Sequence, residues 1–171
     1  MTATVKLTPE MQRLIAEQRL GFVASVCEDG TPNLSPKGTV SVWDDEHLLF
    51  ADICSPGTVN NLRARPTVEI NVVDPIIRKG YRFKGSAMVY QEGPIFERGV
   101  AFFRQRGSRS PITSIVLVHV ERALPLLSPA YDQGMAEEEV RLHWLERWCA
   151  LYGLVLPAEE QRVTEKDSTM S

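Results

Sequence analysis

Between Phe22 and Leu127 the chain is written mostly in period two, in runs closed off by turn residues, and that pattern admits few folds. Tyr81–Tyr90 is the clearest run. Tyr81, Phe83, Ala87 and Val89 alternate with Arg82, Lys84, Ser86 and Met88, which predicts a half-buried strand. Similar runs at Phe22–Cys27, Asn33–Trp43, His47–Asp52, Thr67–Val73 and Ile112–Leu127 complete a set of six predicted strands. Asp29-Gly30 and Asp44–Glu46 supply tight turns, Asp74-Pro75 breaks the fourth run, and Pro125 limits late pairing in the sixth.

Helices are predicted between these runs. Thr8 and Pro9 start one near Pro9–Arg19, with Gly21 as its C-terminal cap. Others are predicted around Val59–Arg65, Pro94–Arg106 and Glu137–Tyr152, with SPAYDQG as a loop before the last. Six antiparallel strands joined mainly by hairpins, with helices at the corners, predict a mainly β fold. A six-stranded antiparallel split β-barrel satisfies it, because closure removes exposed strand edges. With 171 residues, a single domain over residues 1–155 is expected, followed by a polar, disordered tail at 156–171.

Composition narrows the function. The 43% hydrophobic and 24% charged fractions are those of an ordinary globular chain. A net charge of −3 without a basic run disfavours nucleic acid. No run is long and apolar enough for a membrane span, and MTATVKLTPEMQ lacks a leader pattern, so a cytoplasmic protein is expected. Cys27, Cys54 and Cys149 are far apart, with no C-x-x-C pair or histidine at ligand spacing. Reduced thiols packed in the interior are expected, and no metal.

The segment NLSPKGTVSV is the most informative chemically. Asn33, Ser35, Lys37, Thr39 and Ser41 fall on one face of the predicted strand, opposite Leu34, Pro36, Gly38, Val40 and Val42. One lysine among small hydroxyl and amide groups suits an anionic, hydrogen-bonding ligand, although Pro36 and Lys37 also suit an edge strand protected from aggregation. SPGT (Ser55–Thr58) then leads into a helix, whose first N–H groups and partial positive charge attract phosphate. Alone, Ser55 or Thr58 reads as a helix cap. Together with Lys37, the turn supplies a point charge and directed donors, as a phosphate site requires.

The order ASVCEDGTPNLSPKGTVSVWDDEHLLFAD…SPGTVNNLRARPTVEINVVD resembles the FMN-binding split-barrel family related to pyridoxamine 5′-phosphate oxidase over roughly residues 10–125, and VERALPLLSPAYDQG resembles the ending of one subgroup. The resemblance implies a homodimer with FMN in clefts at the interface. It implies phosphate and ribityl contacts at Ser35, Lys37, Thr58 and Asn61, and Thr39 and Val40 beside the flavin ring. It also implies an FMN-dependent oxidoreductase acting on a small molecule. Where authentic pyridoxamine phosphate oxidases carry adjacent basic residues in the phosphate loop, this chain has Gly57 and Thr58, and their C-terminal Trp and Arg signature has no clear counterpart, so that particular oxidation is not expected. No side chain stands out as an obligatory acid or base. The rival readings are a deazaflavin in the same site and a flavin- or haem-holding module without turnover. For Arg82 and Lys84, pairing with Glu69 is expected ahead of flavin or substrate contact. Arg98, Arg104, Arg106 and Arg109 are expected to form a solvated helix end, and His119 to be an ordinary strand histidine.

Overall fold

Strand β1 (Gly21–Val26) follows helix α1 (Pro9–Gln18) and returns as β2 (Pro32–Lys37). The turn between them works as the Asp29-Gly30 pair predicts. Gly30 takes a φ of 84°, and the Asp29 carboxylate accepts from both the amide and the hydroxyl of Thr31. The computed structural model describes residues 5–156; the expected tail lies, from residue 157 on, outside them. The remaining elements are β3 (Ser41–Val42), β4 (His47–Asp52), α2 (Pro56–Ala64), β5 (Thr67–Asp74), β6 (Lys79–Tyr90), α3 (Gly93–Gln105), β7 (Ser114–Leu127), α4 (Pro129–Asp132) and α5 (Glu137–Tyr152).

Among the described residues the strands number seven, not six, in the order β2-β1-β5-β6-β7-β4-β3. The difference lies in the long second run, which breaks at Gly38-Thr39. Its first half pairs with β1 at one end of the sheet and its second half with β4 at the other. Three residues, Gly38, Thr39 and Val40, therefore connect the two ends of a seven-stranded sheet. Even extended they reach on the order of 10–14 Å, so the sheet has to curl into a split barrel. Thr39 secures the crossing: its hydroxyl donates to the Ala51 carbonyl and accepts from the Ala51 amide, both at 3.1 Å.

Among the described residues, 5–73 together with Gly80–Leu126 form one compact unit, and Asp74–Lys79 with 127–156 a second. The core of the first holds Val23, Leu48, Phe50, Ile70, Phe83, Val116 and Val118, with Ile15 of α1 packed into it. A second cluster lies where α3 covers β4 and β7, joining Phe103 to Leu49, Ala51, Ile115 and Leu117. Both faces of β4 are thus covered, which is why its sequence HLLFAD shows no alternation. In the second unit, Tyr131 Oη donates to the Ile77 carbonyl, Lys79 pairs with Glu137, and the Arg78 guanidinium stacks 3.3 Å from the Trp144 ring centre.

Several local expectations are corrected. The α1 cap is Arg19 in the left-handed region (φ 53°), not Gly21. Gly21 instead opens β1, where a Cβ would stand 2.7 Å from a Val40 methyl. Helix α2 starts at Pro56, not Val59, because proline suits the first helical position. Part of SPAYDQG is the short helix α4, capped by Ser128. The three cysteines are free, but Cys54 is exposed and Cys27 and Cys149 only half-buried.

Gly85 gives a stability prediction. A Cβ there would collide with the His119 carbonyl oxygen on β7. Gly85→Ala is expected to cost about 1–3 kcal/mol, read as a lower urea midpoint at unchanged slope. A midpoint equal to that of the parent chain would contradict this close approach.

Candidate functional site

The polar face of β2 turns inward. Antiparallel partners share a face, and β2 pairs with β1 so that Lys37 opposes Gly21, Ser35 opposes the fully buried Val23, and Asn33 opposes the buried Ser25. Leu34 and Pro36 point outward and are exposed. This inversion of ordinary strand polarity is the first mark of a site, since polar groups are retained inside only with partners or a ligand.

Lys37 is only 6% exposed. Its ammonium donates to Ser35 Oγ at 2.7 Å and to Ser55 Oγ at 2.5 Å, and no carboxylate lies in ion-pair contact among the described residues. Burial pulls the group below the ordinary lysine range, and the nearby charge of Asp52 partly offsets that effect. With two hydroxyls as its only direct partners, this cation has its burial offset only in part.

Ser55 connects strand and helix. It is the N-cap residue of α2, yet its hydroxyl makes no capping bond and meets Lys37 instead. Pro56 has no N–H, so the amides of Gly57 and Thr58 are the unpaired donors of the first turn. Asp52, 4% exposed, holds the segment in place. Its Oδ1 accepts from the Ser55 amide and its Oδ2 from the Thr113 hydroxyl, each at 2.8 Å.

Lys37 and Ser55 stand in the wall of a cavity of about 970 Å³, within the size range of cofactor pockets. Thr39, Val40 and Ala51 continue that wall, Arg13 and Arg19 reach it from α1, and Arg106 from the end of α3. Of the residues singled out by sequence, Lys37, Thr39 and Val40 therefore stand together in the wall, with Ser35 bonded to the Lys37 ammonium. The structure places Thr58 and Asn61 elsewhere. Thr58 Oγ1 accepts from Asn33 Nδ2, and Asn61 Nδ2 donates to Ser25 Oγ, forming an interior polar cluster between α2 and the β1–β2 hairpin. Ser25 also accepts from Asn33. The Thr58 side chain thus anchors the helix.

Sequence reasoning missed Asp52 and Thr113, and placed Ser55 in the phosphate turn without its bond to Lys37. The spacing Asp52-x-x-Ser55 carries the usable signal, an acidic side chain closing a turn onto an amide three residues on. Other expectations hold: Glu69 pairs with both Arg82, at 2.9 Å, and Lys84, at 3.0 Å. Of the four arginines around α3, Arg106 lines the cavity with its guanidinium 3.5 Å from the Phe102 ring centre. Arg104 binds the Ser108 carbonyl and Arg98 lies over Trp43. His119 packs against His47, its register partner on β4.

Comparison with known proteins agrees with this architecture. An uncharacterized protein of Methanocaldococcus jannaschii is 32% identical over 93 residues, covering 53% of this chain and 61% of the relative, so the match spans about three fifths of that protein's length. The fold is similar to that of HupZ from group A Streptococcus, with a TM-score of 0.65 at 33% identity over 71% of this chain and 94% of the other. It is also similar to an FMN-binding protein from Syntrophomonas wolfei, with a TM-score of 0.60 at 17% identity over 70% and 85%. The profile of the pyridoxamine 5′-phosphate oxidase family matches residues 7–126, the stretch holding the curled sheet, the inward lysine and the start of α2, and the chain belongs to that family.

Proposed function

We propose that this chain is an FMN-binding oxidoreductase whose phosphate site is built on Lys37. The observation that carries the reading is a buried ammonium with only hydroxyl partners at the wall of a large cavity. The donor set fits a phosphate: Lys37 gives a point charge, Ser35 and Ser55 give hydroxyls, and the amides of Gly57 and Thr58 add the start of a helix. Thr39 and Val40 border the space for a flavin ring, and Asn61 and the Thr58 side chain serve by holding α2 against the hairpin. FMN bound there would supply hydride or electron transfer to a small-molecule substrate. The chain's own residues bind, orient and exclude water. A visible spectrum of the purified protein separates FMN from a deazaflavin.

The experiment is a titration with FMN and with riboflavin, which differ by the phosphate. A charge-assisted contact contributes roughly 1.5–3 kcal/mol, so FMN is expected to bind at least about tenfold more tightly. Equal affinities would contradict the phosphate assignment.

The same reading includes a homodimer with the flavin sites at its interface. Phe22 (44% exposed) and Leu34 (64% exposed) stand outward on β1 and β2, and Met88 (52% exposed) on β6, apolar side chains that a second copy would cover. Light scattering with FMN in excess is expected to give twice the chain mass of 19.2 kDa. A monomer mass at micromolar concentration would remove the interface.

A further inference from the structure

We infer that Asp52 is a positioning residue for the anion site, fixing Ser55 against Lys37 through the hydrogen-bonded chain that joins the three and setting a fixed negative charge behind that cation. The inference rests on the phosphate reading of the cavity and goes further by naming what controls it.

Three observations carry it. Asp52 is 4% exposed at the end of β4, between the two covered faces of that strand. Its two carboxylate oxygens serve different elements, the Ser55 amide at the start of α2 and the Thr113 hydroxyl just before β7. Thr113 binds Asp52 twice more, through its amide and hydroxyl to the Asp52 carbonyl. A neutral amide could still shape this loop, with the Thr113 hydroxyl accepting from the amide nitrogen and donating to the Asp52 carbonyl at 3.1 Å, so hydrogen bonding alone does not call for the charge. This charge instead acts on Lys37, whose ammonium it reaches through space while the two are joined by Ser55. The other ionisable groups on the cavity wall are Arg13 and Arg19 of α1, Arg106 of α3 and Cys54 beside Ser55. Cys54 is exposed, and its contribution is removed by making every comparison in a Cys54→Ser background.

Two opposite effects follow from removing the charge while keeping the shape, as Asp52→Asn does. At neutral pH the site loses a negative neighbour, and an incoming phosphate meets less repulsion. At alkaline pH Lys37 loses the charge that offsets its burial and gives up its proton at lower pH, so anion binding fails earlier. A neighbouring charge shifts a titration by about 1–3 pH units.

The test measures FMN and riboflavin affinities of the full-length chain between pH 7 and pH 10. The ratio of the two isolates the phosphate and cancels titration of the flavin ring. For Asp52→Asn the ratio is expected to rise at pH 7 and to fall off with a midpoint about one unit lower than in the parent. Thr113→Val, which keeps the charge and loosens its anchor, is expected to lower the ratio at all pH values without moving the midpoint. It also answers the question if Asp52→Asn does not fold, because a shifted midpoint in Thr113→Val contradicts the assignment of the charge to Asp52. Asp52→Asn and parent profiles that superimpose overturn the inference while leaving the phosphate site standing. A parent ratio near one at every pH overturns the site itself.

Discussion

Lys37→Ala is expected to weaken FMN binding by about tenfold to hundredfold, the equivalent of a lost charge-assisted contact of roughly 1.5–3 kcal/mol, while riboflavin affinity changes little. Folding is expected to respond differently from binding. Burial lowers the Lys37 titration below its ordinary value, so the unfolded chain holds that proton more firmly than the folded one. The sign then follows: below the unfolded value the cation works against folding, and stability rises as pH climbs between the folded and unfolded values. Removing the ammonium is therefore expected to leave the melting temperature unchanged or slightly raised. Isothermal titration and a thermal melt on one sample check both halves. Unchanged FMN affinity in a folded, soluble variant would return Lys37 to the role of an edge-strand guard, and its 6% exposure already fits that role poorly.

Phe50→Ala is expected to produce the largest loss of stability. Phe50 is fully buried in the barrel core on β4. Emptying such a site costs about 3–5 kcal/mol, or a fall in melting temperature of roughly 6–20 °C for a chain of this size. The same strand carries Asp52 two residues on, so FMN affinity is expected to fall as well, and added FMN to restore part of the melting temperature by mass action. A melt within 2–3 °C of the parent, a shift equivalent to roughly 1 kcal/mol, would show that the core does not close around this ring.

Period-two alternation made most of the sheet legible, and where it failed the cause is physical. In Asn33–Trp43 the alternation runs unbroken through Gly38-Thr39, so periodicity alone cannot show that the chain leaves one sheet edge and joins the other. Pro36 and Gly38 are poor ladder residues, but the distance crossed is a tertiary fact. On β4 both faces are covered, so HLLFAD gives no face on which to place Asp52. Lys37 and Ser35 could be picked out because an inward strand face made of hydroxyls and one lysine is unusual in itself. Thr58 and Asn61 could not be resolved in the same way. Their side chains are committed to Asn33 and Ser25, 25 and 36 residues away in sequence, and a helix start looks the same whether its side chains face a ligand or a hairpin. Cys54 shows the converse error, a general tendency of cysteine to be buried overridden by a loop at a cavity wall.

The most direct test of the central claim is a crystal structure of the chain grown with FMN. The account expects a phosphate oxygen about 2.7–2.9 Å from Lys37 Nζ, with the amides of Gly57 and Thr58 turned toward the same group and the ring running along Thr39 and Val40. A phosphate placed at any other cation, with Lys37 still held only by Ser35 and Ser55, would contradict it.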